Sequence, residues 1–456
     1  MSKLISTNPA QGYEKVGEVD ISTVEEIHDK VKLANKAKLQ WKELGVKKRI
    51  KLLNQVYEEF EKRKEEFSRL ITREMGKPTK ESISEVTSAL KKFKWFLDHG
   101  EKALKDEITF KGKDSIHKIV YEPFGAAAVI APWNYPLGML IWGIVPNLIV
   151  GNTVVCKTSE ECPLTGKLVE EIMDSKSIPR GVFSEVYGAG NVGQKLAESD
   201  VNLIWFTGST KVGKLLYKIA AEKFIKGIFE MGGSNPCIVL KDVEVSSIIP
   251  TIYTERFQNC GQSCDALKRL LVHESIFGEV VERLKEEVEK KIVSDPSKEE
   301  TDIGSLVAKR QLDLIKSQVK DAVEKGATII TGGKSPENMK GAFYEPTLLT
   351  NITKDMRVWK EEVFGPVLPI VPFKTEEEAI ELANDTLFGL GSRIFSNDPQ
   401  RARIIASRME AGTVEINHAS RWLPCNPFGG YKQSGLGREH GTVGFHELCQ
   451  IKVISE

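Results

Sequence analysis

The chain has 456 residues, 41% of them hydrophobic and 28% charged, with 64 basic side chains against 64 acidic ones. That length allows two or three domains around a sizeable core, and the even charge leaves no global field to draw nucleic acid or an anionic membrane. Seven cysteines, an odd number scattered between positions 156 and 449, do not make a disulfide framework and point to a reducing, cytoplasmic setting.

The opening MSKLISTNPAQGYEK has no apolar run long enough for a signal peptide. From residue 23 to 44, Val24, Ile27, Val31, Ala34, Ala37 and Trp41 recur at helical spacing, and helical patterning continues to about Lys105. Lys and Glu runs such as EEFEKRKEEFSRL (58–70) read as solvated helix faces. SIHKIVYEP (115–123) alternates as one arm of a hairpin. GMLIWGIVPNLIVGNTVV (138–155), broken by Gly, Pro and Asn, predicts a buried helix running into a strand rather than a membrane span. Strands at 153–157, 183–187, 203–208 and 227–233 then alternate with helices from Thr165, Asn191 and Thr210. That rhythm predicts a mostly parallel sheet covered on both faces. A second α/β block begins near Cys237. It contains a helix through Leu312, Ile315, Val319 and Val323 stopped by Gly326, a strand at 327–333, and a similar unit over 376–396. HELCQIKVISE (446–456) reads as a terminal strand in need of a partner.

Two glycine motifs lead from strand to helix. GAGNVG carries Gly188, Gly190 and Gly193 in the context of a dinucleotide fingerprint, but no acidic residue closes the next strand. FTGSTKVG (206–213) offers Ser209 and helix-start amides to a phosphate. On the residues alone each is equally a tight βα turn. QNCGQSCDALKR (258–269) holds Cys260 and Cys264. Zinc would need two further ligands, and no CxxC or HxxxH pair supplies them. A disulfide across four helical residues would be strained. Buried filler competes with a nucleophile on a polar turn entering a helix DALKRLLV, whose first amides would lower the thiol pKa.

At these residues the chain resembles the NAD(P)-dependent aldehyde dehydrogenases. FQNCGQSCDALKR is similar to their cysteine signature and FEMGGSNP (229–236) to their glutamate signature. PWNYP (132–136), VVCKTSEECP (154–163), FTGSTKVG, EEVFGPV (361–367) and PFGGYKQSGLGREHG (427–441) follow in the family's order. ITREMGKP (71–78), RFQNCGQSC (256–264) and VGFHELCQIKVI (443–454) are most similar to short-chain prokaryotic succinate-semialdehyde dehydrogenases. The resemblance implies an α/β aldehyde-dehydrogenase-like fold. A Rossmann-type cofactor domain would take 1–105 and 123–231, with 428–440 returning to it, and a catalytic α/β domain 232–427. A small β oligomerisation element at 106–122 and 441–456 would pair subunits into a homodimer or homotetramer.

It further implies Cys264 as nucleophile, Asn134 as oxyanion donor and Glu230 as the base that activates water. Trp133, Lys157, Glu160, Gly208, Ser209, Gly213, Glu362 and Phe364 would hold the cofactor. Glu160, facing ribose hydroxyls, favours NAD, with NADP possible, and no metal is implied. Cys260 is left to packing, with redox protection of Cys264 as a lesser role.

The substrate is a small-molecule aldehyde, with succinate semialdehyde the first expectation. Relatives acting on that compound carry an arginine nine residues after the PWN tryptophan, where this chain has Trp142. Arg421 and His418 are candidate replacements. A mouth of Trp142 and Trp422 would instead suit unbranched or aromatic aldehydes. Lactaldehyde, glyceraldehyde and glyceraldehyde 3-phosphate are further alternatives, as is a catalytically silent nucleotide-binding or structural protein on this fold.

Overall fold

Between Val24 and Ala103 the apolar spacing resolves into four helices, Val24–Glu43, Val46–Lys62, Lys64–Met75 and Thr79–Ala103, in a computed structural model that describes residues 2–175 and 178–456. Thr23 caps the first helix by accepting from the Glu26 N–H. Ile27, Val31, Ala34, Ala37 and Trp41 form its buried stripe. Ahead of them lies a hairpin, Lys3–Asn8 against Glu14–Asp20. The sequence reading passed over it because its strands are polar and mostly surface-facing, with no two-residue apolar period to detect.

The first large sheet has six strands in the order Gly435–Leu436, Lys226–Glu230, Leu203–Thr207, Ala126–Ile130, Thr153–Lys157, Phe183–Val186. Only Gly435–Leu436 runs antiparallel. Every residue of Ala126–Ile130, Thr153–Lys157 and Leu203–Thr207 is buried, as parallel strands covered by helices on both faces must be. The helix Pro136–Val150, entirely buried and begun by a proline, runs into Thr153–Lys157 as expected from the sequence. The chain steps outward from Ala126–Ile130 to Phe183–Val186, then returns to the other side of Ala126–Ile130 with Leu203–Thr207. This reversal opens a crevice at the carboxyl ends of those two strands, where α/β sheets take ligands.

The second sheet has seven strands in the order Thr328–Thr331, Thr347–Thr350, Val367–Phe373, Leu267–His273, Asn235–Val239, Gly391–Phe395, Thr413–Ile416, parallel but for the first. The helix expected at DALKRLLV is instead the central strand Leu267–His273. Lys268 and Arg269 are both buried. Lys268 donates to the Gly233 carbonyl and Arg269 to those of Ser234, Leu382 and Ala383. With its charges satisfied internally, the segment is buried on both faces and a strand is the stable choice.

A third sheet, antiparallel, sets Ile116–Pro123 between Glu107–Lys111 and Cys449–Ser455. The hairpin read at 115–123 is present, and the terminal strand finds its partner within the chain. His446 and Glu447 belong to the preceding helix Gly441–Glu447 rather than to that strand. Ile108, Phe110, Ile451 and Val453 remain exposed on this arm. Among the described residues no helix is long and apolar enough to cross a membrane.

Candidate active site

The helix Val245–Phe257 ends in a short 3-10 turn, Gln258–Gly261, ahead of Cys264. Asn259 (φ 53°), Cys260 (φ 55°) and Gly261 (φ 70°) are left-handed in succession. For the two non-glycine residues this conformation costs roughly 1–3 kcal/mol each, and it persists only where the surroundings enforce it. Here they do. The Asn259 N–H donates to Glu81 at 2.8 Å, and its side-chain amide donates to the carbonyls of Asn134 at 2.8 Å and Gln262 at 3.1 Å. Buried Arg256 donates to the carbonyls of Val363, Gly365 and Leu267. Cys260 is packed into the core of the second sheet, while Cys264 is partly exposed and all described cysteines are free thiols.

Cys264 lines a cleft of about 250 Å³ together with Asn134 and Glu230. The volume lies below the roughly 300–1,000 Å³ of pockets for drug-sized ligands, so the occupant is small. Asn134 follows the strand Ala126–Ile130, and its carbonyl accepts from Lys77 Nζ at 2.9 Å. The Asn134 amide donates one N–H to the Gln262 carbonyl at 3.2 Å, leaving its second N–H for a ligand. Glu230 ends the strand Lys226–Glu230, buried, with Oε1 unpartnered and its carboxyl close enough to the Cys264 thiol for each to shift the other's pKa.

The electrostatics correct the expectation of an acidified thiol. Burial, then the charges of Glu230 and Asp265, pushes the Cys264 pKa well up, and Lys268 opposes them in part. Burial, then Glu439, does the same to Glu230. Cys264 precedes a strand, so no helix-start amides offset these effects. In the resting site the pair shares its protons rather than ionising twice.

Around this pair the structure gathers several of the residues expected to hold a cofactor. Glu362 accepts from the Gly233 N–H at 3.1 Å and from Lys268 Nζ. A Cβ on Gly232 would meet Glu362 Oε2 at 2.4 Å, so a side chain there would push the carboxylate aside. Trp133 meets Phe364 edge-on at 5.4 Å. Gly208 donates to the Glu230 carbonyl at 3.1 Å, Ser209 caps the helix Thr210–Lys223, and a Cβ on Gly213 would meet Met231 Sδ at 2.2 Å. Helix and strand therefore pack closely at the crevice, with the helix N-terminus open beside Glu230. That donor set fits a dinucleotide pyrophosphate. Lys157 ends the strand Thr153–Lys157 and pairs with Glu160 at 3.0 Å. Desolvation acts to raise the Glu160 pKa, but Lys157, the Glu160 backbone N–H and Arg310 hold it below the usual range. GAGNVG forms the neighbouring turn into the helix Gly190–Glu198.

The three residues read for substrate are not equivalent. Trp142 lines the cleft with Trp422, their rings 5.9 Å apart. Arg421 also reaches it, but its guanidinium is taken up by Asp265 at 2.6 Å, Glu255 at 3.3 Å and Glu415. His418 is exposed, hydrogen-bonded to Thr251 Oγ1 at 3.0 Å, and is not among the residues lining the cleft. Sequence reasoning missed Lys77 and Glu85, an ion pair with side chains 0% and 2% exposed. It also missed Lys92, Asp265 and Lys268. Lys77 had a signal in its place in ITREMGKP, and Asp265 and Lys268 in theirs in FQNCGQSCDALKR; Glu85 and Lys92 stand in runs that read as surface.

The sequence pattern of the aldehyde dehydrogenase family matches residues 2–454. The chain is 37% identical over 449 residues to mitochondrial succinate-semialdehyde dehydrogenase of Arabidopsis thaliana, covering 98% of this chain and 85% of that one. Two crystal structures superpose over 100% of it. One is an E. coli NADP-dependent enzyme, at 31% identity and a TM-score of 0.96 over 95% of that chain. The other is betaine aldehyde dehydrogenase of Staphylococcus aureus in complex with NAD+, at 33% identity and a TM-score of 0.95 over 91% of that chain.

Proposed function

This chain belongs to the aldehyde dehydrogenase family, and from that premise we propose that it oxidises an aldehyde to the carboxylic acid through a thioester on Cys264, with succinate semialdehyde as the substrate. What carries the reading is the meeting of Cys264, Glu230 and Asn134 on one small cleft. The Cys264 thiol loses its proton to solvent, and the sulfur adds to the aldehyde carbon. The resulting alkoxide is held by the uncommitted Asn134 N–H and the Cys264 backbone N–H; one such donor is worth on the order of 3 kcal/mol in the transition state. NAD or NADP, when bound, accepts the hydride that leaves as the carbonyl re-forms. The Glu230 carboxylate then draws a proton from water, which attacks the thioester and frees the acid, and that proton passes to the departing sulfur to return the thiol.

The first sheet with its helices (1–105, 123–231 and 428–440) binds the cofactor, and 232–427 carries Cys264. Ser209 and the Thr210 helix start hold the pyrophosphate, Lys157 and Glu160 the adenine ribose, and Glu362, Phe364 and Trp133 the nicotinamide side. An anionic Glu160 repels a 2′-phosphate, which favours NAD. The exposed apolar arm at 106–122 and 441–456 pairs subunits into a homodimer or homotetramer, in the cytoplasm where the free thiols stay reduced. Cys264→Ser is the direct test. NAD binding by calorimetry should be unchanged while aldehyde-dependent NADH formation is lost; retained oxidation would exclude the thioester route.

A further inference from the structure

We infer that Lys92 recognises the far end of the substrate, and that the substrate class is a short aldehyde carrying a carboxylate there. This rests on the cleft being an aldehyde-oxidising site and names the residue that selects among aldehydes.

Lys92 lies on the helix Thr79–Ala103, on the stripe with Glu85, Ala89 and Phe96 that faces inward. Its side chain enters the cleft that holds Cys264. It is only 6% exposed. Its ammonium sits 3.7 Å above the Trp142 ring and 4.7 Å from that of Trp422. No hydrogen bond or ion pair to it is present among the described residues. The other cations on the cleft are matched: Lys77 by Glu85, and Arg421 by Asp265, Glu255 and Glu415. A buried ammonium without an anion is costly, and burial draws the Lys92 pKa down to about 7 despite the charges of Asp265 and Glu439. An entering carboxylate supplies the missing counter-ion. The Trp142 indole N–H is likewise buried and unpartnered, a second donor on the same ring. Arg421 cannot take that role, because its donors are already spent on the enzyme's own carboxylates. A quaternary ammonium is also disfavoured, since the aromatic faces that would hold it already carry a lysine.

The test compares wild type, Lys92→Met and Lys92→Arg on succinate semialdehyde, its neutral methyl ester and glyceraldehyde 3-phosphate. For Lys92→Met, kcat/KM on succinate semialdehyde should fall about 10- to 100-fold, mainly through KM, while the ester changes less than about threefold and Lys92→Arg recovers most of the loss. Succinate titrated into the enzyme in a calorimeter should lose its binding heat in Lys92→Met, a readout independent of turnover. Equal losses on acid and ester, or none on either, would overturn the role of Lys92. A wild-type preference for the phosphate over the carboxylate would overturn the substrate class. Oxidation of the ester by all three proteins reports on the aldehyde-oxidising reading alone, so the two failures are distinguishable. Methionine keeps the stem length and removes an unpaired buried charge, which does not endanger folding.

Discussion

Cys264 and Glu230 each have a pKa pushed up first by burial and then by neighbouring carboxylates, Glu230 being the foremost of these for Cys264, while the Cys264 thiol acts to lower that of Glu230. Both active forms are the deprotonated ones, and both pKa values lie above the ordinary range. The site is therefore mostly inactive at low pH and gains reactivity as pH rises. Alkylation of Cys264 by iodoacetamide in the cofactor-free enzyme should climb with pH, and Glu230→Gln, which removes a negative neighbour, should move the climb to lower pH. A pH-independent rate would mean a thiol ionised from the outset. At this scale Cys264 was legible as a candidate because it stands in a short Gly- and amide-rich run that makes poor core, and Glu230 and Asn134 through the resemblance of their motifs. Lys92 was not, since a lysine in a charged run reads as solvated and only tertiary packing encloses it. Arg421 illustrates the converse: a guanidinium suited to a substrate carboxylate is bound by three of the protein's own.

The element that fixes Asn134, the proposed oxyanion donor, is the helix Thr79–Ala103. Its Glu85 pairs with Lys77 and accepts from the N–H groups of Leu137 and Gly138, at the start of the helix Pro136–Val150. Lys77 in turn donates to the Asn134 carbonyl. Lys77→Met leaves Glu85 buried and unpaired, which costs about 3–5 kcal/mol of stability. Thermal unfolding should show that loss together with a fall in kcat; an unchanged melting temperature would contradict it. Most elements were readable from apolar period. The error at Leu267–His273 has a physical source: Lys268 and Arg269 imitate the polar face of a helix, whereas in the fold they are buried donors to backbone carbonyls. The first hairpin was missed for the opposite reason, having too few apolar residues to show a period at all.

At the scale of the molecule, two α/β sheets meet at the seam where the strand Lys226–Glu230 hands over to Asn235–Val239. Glu230 and Cys264 reach that seam from different sheets. The sequence signalled this arrangement through motif order, but not the distances or the cleft's charge pairing, which depend on contacts far apart in the chain. The projecting three-stranded arm leaves Val453 and Ile451 61% and 65% exposed, apolar area that subunit pairing would cover. Val453→Lys should lower the assembly state in sedimentation velocity, and a wild-type protein that sediments as a monomer would contradict the assignment of this arm. The central claim is acyl transfer through Cys264 with Glu230 serving the hydrolytic half. It is tested most directly by mixing Glu230→Gln with succinate semialdehyde and NAD, following NADH on the millisecond scale and quenching for peptide mass analysis. The expected result is a burst of NADH followed by slow turnover, with the acyl mass on the peptide holding Cys264. Full steady-state turnover with no adduct on that peptide would contradict it.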